Sequence, residues 1–330
     1  MTADEYVALD DDEGLIYASD DLPGYTRVRR GSGFSDVSGG STVTNEERTR
    51  IESLAIPPAW ENVWIASNDL AHILATGYDA AGRKQYIYHP SWEEVRDAAK
   101  FDRTAQFGSQ LRELRKRIDS DLRRHGLPRE KVIALAVSVL DRTAIRVGNR
   151  RYLETNDSYG LTPLESHHVD VSGSHVVLGF KGKGGAEHEA VFKSRRLARL
   201  MAECQQLDGQ TLFSYESDGE ILSIGSSDVN GYLSRGGTRF TAKDMRTWGA
   251  TSLVAGQLAE PRDADEEKEI LRAIDHAAEM LNNTRAVCRD SYVHPGVLAA
   301  FRDGSLQDAW RSSRSGQWLS RSESATNRIL

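Results

Sequence analysis

At 330 residues, 39% of them hydrophobic, the chain is long enough for two domains and rich enough for packed cores. No run approaches the ~18–20 apolar residues of a membrane span, and two distant cysteines, Cys204 and Cys288, exclude a disulfide scaffold and give no metal-ligand spacing. The formal charge of −7 is uneven: eight acids and no Lys or Arg stand in the first 21 residues, and removing those eight leaves +1, while residues 101–151 hold thirteen Lys/Arg against six Asp/Glu.

Residues 1–21 read as a disordered acidic tail. They lack the basic-then-apolar order of a secretory signal, so a cytoplasmic location is expected. Residues 22–98 give mixed, strand-rich signals. Tyr25 to Arg29 alternates, and the Gly/Ser-rich stretch 31–41 reads as turns. Asn45–Leu54 predicts a short helix opened by Thr44 and closed before Pro57-Pro58, and Val63–Ala66 a strand. His72–Tyr78 and Lys84–Tyr88 predict two strands joined by Asp79-Ala80-Ala81-Gly82. This is a small β-rich domain.

From 99 onward the chain turns helical. Trp92–Asp102 predicts a bridging helix. Phe107, Leu111, Leu114, Ile118 and Leu122 then recur at steps of four and three, an apolar stripe whose opposite face carries Arg112, Arg115, Lys116 and Arg117. Charge asymmetry of this kind fits a polyanion partner, or simply a solvated helix face. Lys131–Ile145 is nearly all apolar and predicts a central helix running into Arg146-Val147-Gly148-Asn149. Val176–Lys181 and His188–Lys193 flank a glycine-rich tip, a hairpin. Helices are expected at 194–206, 227–234, 241–258, 265–282 and 284–293, with one or two more in 296–330. Thr241-Ala242-Lys243-Asp244 has capping-box spacing, and Asn283 or Thr284 can cap the helix that ends at Tyr292. The fold class is α+β, with domains at 1–21 (tail), 22–98 and 99–330.

Five residues bear chemistry. Taken singly, each has a plain structural reading. Arg146 suits a helix C-terminus, Lys183 an exposed turn, Arg246 an intrahelical ion pair, Asn283 a cap, and Tyr292 packing. Gly182-Lys183-Gly184-Gly185 is not followed by a helix, so a phosphate-loop reading is poor. Together they supply what the attack of a tyrosine on a phosphodiester needs. Two planar, permanent cations and an amide stabilise charge on the non-bridging oxygens, and an ammonium protonates the leaving alkoxide.

Five strings carry a resemblance: Ile145-Arg146-Val147-Gly148-Asn149, Ser158-Tyr159-Gly160-Leu161-Thr162, Phe180-Lys181-Gly182-Lys183-Gly184, Lys243-Asp244-Met245-Arg246-Thr247-Trp248-Gly249, and Asn283-Thr284 with Ser291-Tyr292-Val293-His294-Pro295. Ile56-Pro57-Pro58-Ala59-Trp60 and Gly82 to Pro90 extend it to the N-terminal half. The sequence resembles the type IB DNA topoisomerases, in their compact bacterial and poxvirus-like branch.

The resemblance implies that Tyr292 is a nucleophile forming a 3′-phosphotyrosyl bond, that Arg146 and Arg246 hold the scissile phosphate, and that Lys183 protonates the 5′ oxygen. Asn283 stands where viral members have histidine, so it implies hydrogen bonding to the phosphate rather than imidazole chemistry. Gln85, Tyr86 and Tyr88 match an N-terminal DNA-contacting segment, and Tyr152 and Lys243 match phosphate contacts. Arg285 departs from an expected proline, which implies a looser start to the nucleophile helix. The family's two lobes close around duplex DNA as a clamp, as a monomer, with no membrane, nucleotide or metal involved. Two other readings remain open: a tyrosine recombinase of related chemistry, and a catalytically silent DNA-binding protein.

Overall fold

The computed structural model describes residues 7–8, 15–31, 33–38, 41–236, 239–260 and 265–330, without the side chains of 7–8, 38, 41–42, 93–99, 151, 152 and 155. It divides into two compact units, 1–100 and 101–330.

The first unit contains β1 (Val7–Ala8), β2 (Ile16–Tyr17), β3 (Gly24–Arg30), β4 (Gly33–Ser38), β5 (Ser41–Thr42), α1 (Asn45–Ser53), β6 (Glu61–Ala66), β7 (Ile73–Tyr78) and β8 (Lys84–Tyr88). Six of these strands form an antiparallel sheet in the order β5-β4-β3-β6-β7-β8. Helix α1 begins with a reciprocal cap: Thr44 Oγ1 accepts from Glu47 N at 3.3 Å, and Glu47 accepts from Thr44 N at 2.6 Å. It sets Ile51 against Tyr25, Val63, Ile65 and Ala75 of the sheet.

Two expectations need correction here. The stretch 31–41 is not all turn: Gly31, at φ 59°, makes the turn, and β4 then pairs with β3 from Arg30↔Gly33 to Thr26↔Val37. Glycine and serine content masked a strand whose residues fit a hairpin pleat. Nor does the acidic segment stay unstructured to residue 21. Leu15 and Ala18 are fully buried, β2 pairs with β1, and Ala18 N donates to His72 Nδ1 at 3.1 Å. The apolar string Leu15 to Ala18 overrides the flanking acids. The rest of that segment, residues 1–6 and 9–14, lies outside the described residues.

The second unit starts within α2 (Pro90–Asp121) and continues through α3 (Arg129–Thr143), α4 (Arg150–Asn156), β9 (Val169–Ser172), β10 (His175–Lys181), β11 (Glu187–Lys193), α5 (Arg195–Gln205), β12 (Ser214–Ser217), β13 (Glu220–Ser223), α6 (Ser226–Leu233), α7 (Ala242–Ala259), α8 (Glu266–Leu281), α9 (Arg285–Tyr292), α10 (Pro295–Arg302), α11 (Ser305–Ser312) and α12 (Arg321–Ile329). The expected α+β organisation holds. The predicted stripe on α2 is buried throughout and packs on α3. The basic face opposite is only partly solvated. Arg115 donates to both Asp141 oxygens, both Glu323 oxygens and the Trp318 carbonyl, tying α2 to α3 and α12. Helix α3 is the central one. Its single buried charge, Lys131, donates to the Arg124 and Gly126 carbonyls at 2.8 Å.

The predicted hairpin β10–β11 is present and gains a third strand, β9. Helix α4 and the hairpin β12–β13 were not read from the sequence, and 296–330 forms three helices rather than one or two. Among the described residues no helix is long and apolar enough to cross a membrane.

Candidate active site

Helix α3 ends at Thr143, two residues before the end of its apolar run. Ala144 takes left-handed geometry, φ 50°, and caps the helix. Arg146 therefore follows the helix rather than closing it, and its position is set by a second segment. Leu161 N donates to Arg146 O and Thr162 N to Val147 O, both at 2.9 Å, while Tyr159 N donates to Lys181 O at 2.8 Å. Residues 158–162 thus brace Arg146 on one side and the lysine-bearing hairpin on the other. The approach is possible only because Gly148 faces Gly160. A Cβ on Gly160 would fall 2.5 Å from Gly148 Cα.

Arg246 lies on the second turn of α7. The helix opens at Thr241, whose N–H and hydroxyl both donate to Asp244 Oδ2, at 2.7 and 2.8 Å. Asp244 is buried and also accepts from Nε and Nη2 of Arg103 on α2, at 3.1 and 2.7 Å. Arg246 itself is 4% exposed. It donates to the carbonyls of Ala144 and Leu281, so it joins the ends of α3 and α8. Its Cζ lies 5.4 Å from the centre of the Tyr292 ring. Burial, with Arg146 adding repulsion, lowers the Arg246 pKa to about 10, and the group stays cationic at neutral pH.

The α8–α9 junction supplies the rest. Asn282 turns left-handed, φ 49°, as the C-cap of α8, and Asn283 N donates to Ala278 O at 2.9 Å. Thr284, not Asn283, caps α9 through Val287 N. Asn283 is thereby free to face Arg146, whose Nη2 donates to its Oδ1 at 2.6 Å. Its Nδ2 is buried and has no hydrogen-bond partner among the described residues. Arg285 does not loosen the start of α9: its Nε and Nη2 donate to Asp275 of α8 at 2.5 and 2.6 Å.

At the far end, Thr251 of α7 accepts from His294 N at 3.1 Å and donates to Tyr292 O at 3.0 Å, fixing the backbone of the tyrosine. Sequence reading gave no signal for Thr251, a threonine inside a helix with no motif around it. Cys288, one turn before Tyr292, is fully buried, and burial pushes its thiol up to about 11, so it stays protonated and packs.

Arg146, Arg246, Asn283 and Tyr292 therefore meet, from positions up to 146 residues apart in numbering. Lys183 is exposed at the hairpin tip, in a short 3₁₀ turn Lys183–Gly185, and makes no ion pair or hydrogen bond among the described residues. Lys243 is exposed on the first turn of α7. The Tyr152 side chain lies outside the described residues. In the first unit, Tyr86 and Tyr88 stack along β8 with ring centres 5.8 Å apart and Lys84 beside Tyr86, while Gln85 Nε2 donates to Asp79 at 2.8 Å. Neither Arg146 nor Arg246 is paired with a carboxylate among the described residues. Two converging guanidinium groups and an unspent amide donor form a surplus of positive potential that an anion neutralises.

The profile of the eukaryotic DNA topoisomerase I catalytic core matches residues 89–310, and that of the bacterial DNA topoisomerase IB N-terminal domain matches residues 33–79. DNA topoisomerase 1B of Acanthamoeba polyphaga mimivirus is 33% identical over 274 residues, covering 79% of this chain and 82% of its own. DNA topoisomerase 1B of Vaccinia virus (strain Copenhagen) is 22% identical over 272 residues, with the same shares covered. DNA topoisomerase 1 of Mycosarcoma maydis is 22% identical over 251 residues, 68% of this chain but 24% of that protein.

Proposed function

We propose, since the chain belongs to the type IB DNA topoisomerase family, that it relaxes supercoiled duplex DNA by cutting and resealing one strand through Tyr292. The phenol oxygen attacks the scissile phosphorus, the P–O5′ bond breaks, and a 3′-phosphotyrosyl bond replaces it. The phenol loses a proton, and Lys183 gives one to the departing 5′ oxygen. After the cut strand swivels, the 5′ hydroxyl attacks the phosphotyrosine and the two transfers reverse. One ester is exchanged for another, so neither nucleotide hydrolysis nor a metal is needed. Arg146, Arg246 and the Asn283 amide bind the non-bridging oxygens, where transition-state charge accumulates.

The observation that carries this reading is Arg246 beside Tyr292 and Arg146 on Asn283, with no carboxylate among the described residues to neutralise either arginine and one buried amide donor unspent. Lys183 on its tip is free to reach a leaving group. Gln85, Tyr86 and Tyr88 from the first unit, and Tyr152 and Lys243 from the second, contact the duplex as polar and aromatic groups outside the reacting centre. The enzyme acts as a monomer.

Relaxation of a negatively supercoiled plasmid in EDTA without nucleotide is the test, since a recombinase requires paired specific sites and a plain DNA-binding protein leaves topology unchanged. The Tyr292→Phe variant must be inactive; persistent relaxation would remove the nucleophile assignment. Lys183→Ala must slow cleavage strongly with an ordinary 5′ oxygen and much less with a low-pKa 5′ thiolate leaving group, and equal slowing would remove the general acid.

A further inference from the structure

One polar side chain at the arginine pair has no part in the mechanism so far. His188 lies on β11, paired with Phe180 of β10. The two rings stack with centres 5.0 Å apart and planes 16° from parallel. The hairpin register carries the imidazole under the tip that bears Lys183: a Cβ added to Gly182 would meet His188 Cβ at 3.7 Å and Cδ2 at 3.9 Å. Its Nε2 is buried and has no hydrogen-bond partner among the described residues.

The same end of the hairpin is held to the Arg146 segment, since Tyr159 N donates to Lys181 O at 2.8 Å and Leu161 N to Arg146 O at 2.9 Å. Burial, then Arg246 and Arg146, hold the pKa of the ring below the ordinary histidine value. A buried nitrogen left unsatisfied is destabilising. Stacking on Phe180 alone would be served better by a second phenyl ring. The Asn283 Nδ2 is a second buried nitrogen without a partner among the described residues, on the side chain that Arg146 bonds. Two orphaned polar nitrogens on separate elements, β11 and the α8–α9 junction, answer to the same pair of cations.

We infer that His188 is a further substrate-contacting residue of the reaction, its Nε2–H donating to a non-bridging oxygen of the scissile phosphodiester. The anion relieves the repulsion from Arg146 and Arg246, and imidazole carries hydrogen on Nε2 in one neutral tautomer and in its protonated form alike. The hairpin then contributes two groups to one phosphate: Lys183 from its tip toward the leaving oxygen, and His188 from its stem toward a non-bridging one. This inference rests on the reading of the site given above.

The test is single-turnover cleavage of a labelled duplex by wild type, His188→Phe and His188→Gln, with duplex binding measured alongside in a Tyr292→Phe background. Phenylalanine keeps the stack and removes the donor; glutamine restores an N–H near the same place. His188→Phe should slow cleavage on the order of 10²-fold, the usual cost of one oxyanion donor, with binding little changed, and glutamine should recover at least about tenfold. With the scissile phosphate replaced by each methylphosphonate diastereomer, the phenylalanine defect should vanish for the one lacking the contacted oxygen. A phenylalanine variant that cleaves like wild type, a glutamine variant no better than phenylalanine, or an equal defect with both diastereomers would each overturn the contact. Wild type that forms no covalent adduct would instead sink the underlying function, so the two failures are distinguishable.

Discussion

Replacing Gly160 with alanine tests whether the site depends on two short segments lying side by side. The new Cβ would fall 2.5 Å from Gly148 Cα, 2.6 Å from Gly148 N and 2.7 Å from Arg146 O. All three are backbone atoms, so none can rotate aside. Restoring the closest approach to an ordinary ~3.6 Å parts the segments by about 1 Å. The bonds Leu161 N→Arg146 O and Thr162 N→Val147 O, each 2.9 Å, then pass beyond hydrogen-bonding range. Two lost bonds at about 1 kcal/mol each, with an overpacking cost of about 1–3 kcal/mol, give a destabilisation of roughly 3–5 kcal/mol. The same displacement at Arg146 should slow cleavage about 10²-fold.

Urea unfolding measures the first effect and single-turnover cleavage the second. Gly231→Ala is the control. It lies within α6, and a Cβ there would meet nothing within 4 Å, so alanine should gain about 0.5–1 kcal/mol and leave the rate alone. A Gly160→Ala protein within about 0.5 kcal/mol of wild type and cleaving at the wild-type rate would refute the brace.

Three further outcomes are expected. Asn283→Asp puts a carboxylate against Arg146 and removes the unspent Nδ2, so cleavage should fall at least about 10²-fold without loss of folding, and near-normal cleavage would show that the amide donor is not used. Arg103→Ala strips the α2 partner from buried Asp244 but leaves the Thr241 cap, so calorimetry should find a loss of about 1–2 kcal/mol, with a rate defect smaller than that of any arginine at the phosphate; an unchanged melting temperature would remove its bracing role. Burial raises the Glu323 carboxyl, but Arg115 and the Ser320 cap outweigh it and hold the group below the ordinary glutamate value. The folded pKa lies below the unfolded one, so this stabilisation is complete above pH ~4.3 and lost as pH falls through the folded value. Glu323→Gln should flatten that acid limb and cost roughly 2–3 kcal/mol at pH 7, less than an isolated buried pair because Asp141 still holds Arg115. An unchanged acid limb would count against the linkage.

Periodicity and punctuation made much of the fold legible. The stripe from Phe107 to Leu122, the apolar run of α3 and the Thr44 cap each act through neighbours three or four residues away, which a linear reading can see. What stayed hidden is held by distant partners. Strand β4 looks like turn because its residues are small, and only pairing with β3 makes it a strand. Leu15 and Ala18 sit among acids and are buried by contacts with residues such as His72, far along the chain. Arg115 shares a helix face with the exposed Arg112 and Lys116 and differs from them because Asp141 and Glu323 arrive from α3 and α12.

The site divides along the same line. Four of its five strings are informative because each places a reactive group close to where a helix or hairpin begins or ends, and ends carry recognisable caps and glycines. Tyr159-Gly160-Leu161-Thr162 holds none of the groups assigned to the chemistry. Its place in the pattern follows from geometry: one glycine must lie against Gly148, and three backbone N–H groups must reach Lys181, Arg146 and Val147. His188 is the converse case, a side chain with chemistry but no motif, since its position relative to the arginines is set by strand register and not by spacing. The residues that react can be read from a pattern, whereas those that position them are fixed by backbone distances no single string records. Gly160→Ala and His188→Phe probe the two kinds separately, the first through a carbonyl and the second through a lone nitrogen, and a site built as described must fail in different ways to each: stability and rate together for the glycine, rate alone for the histidine.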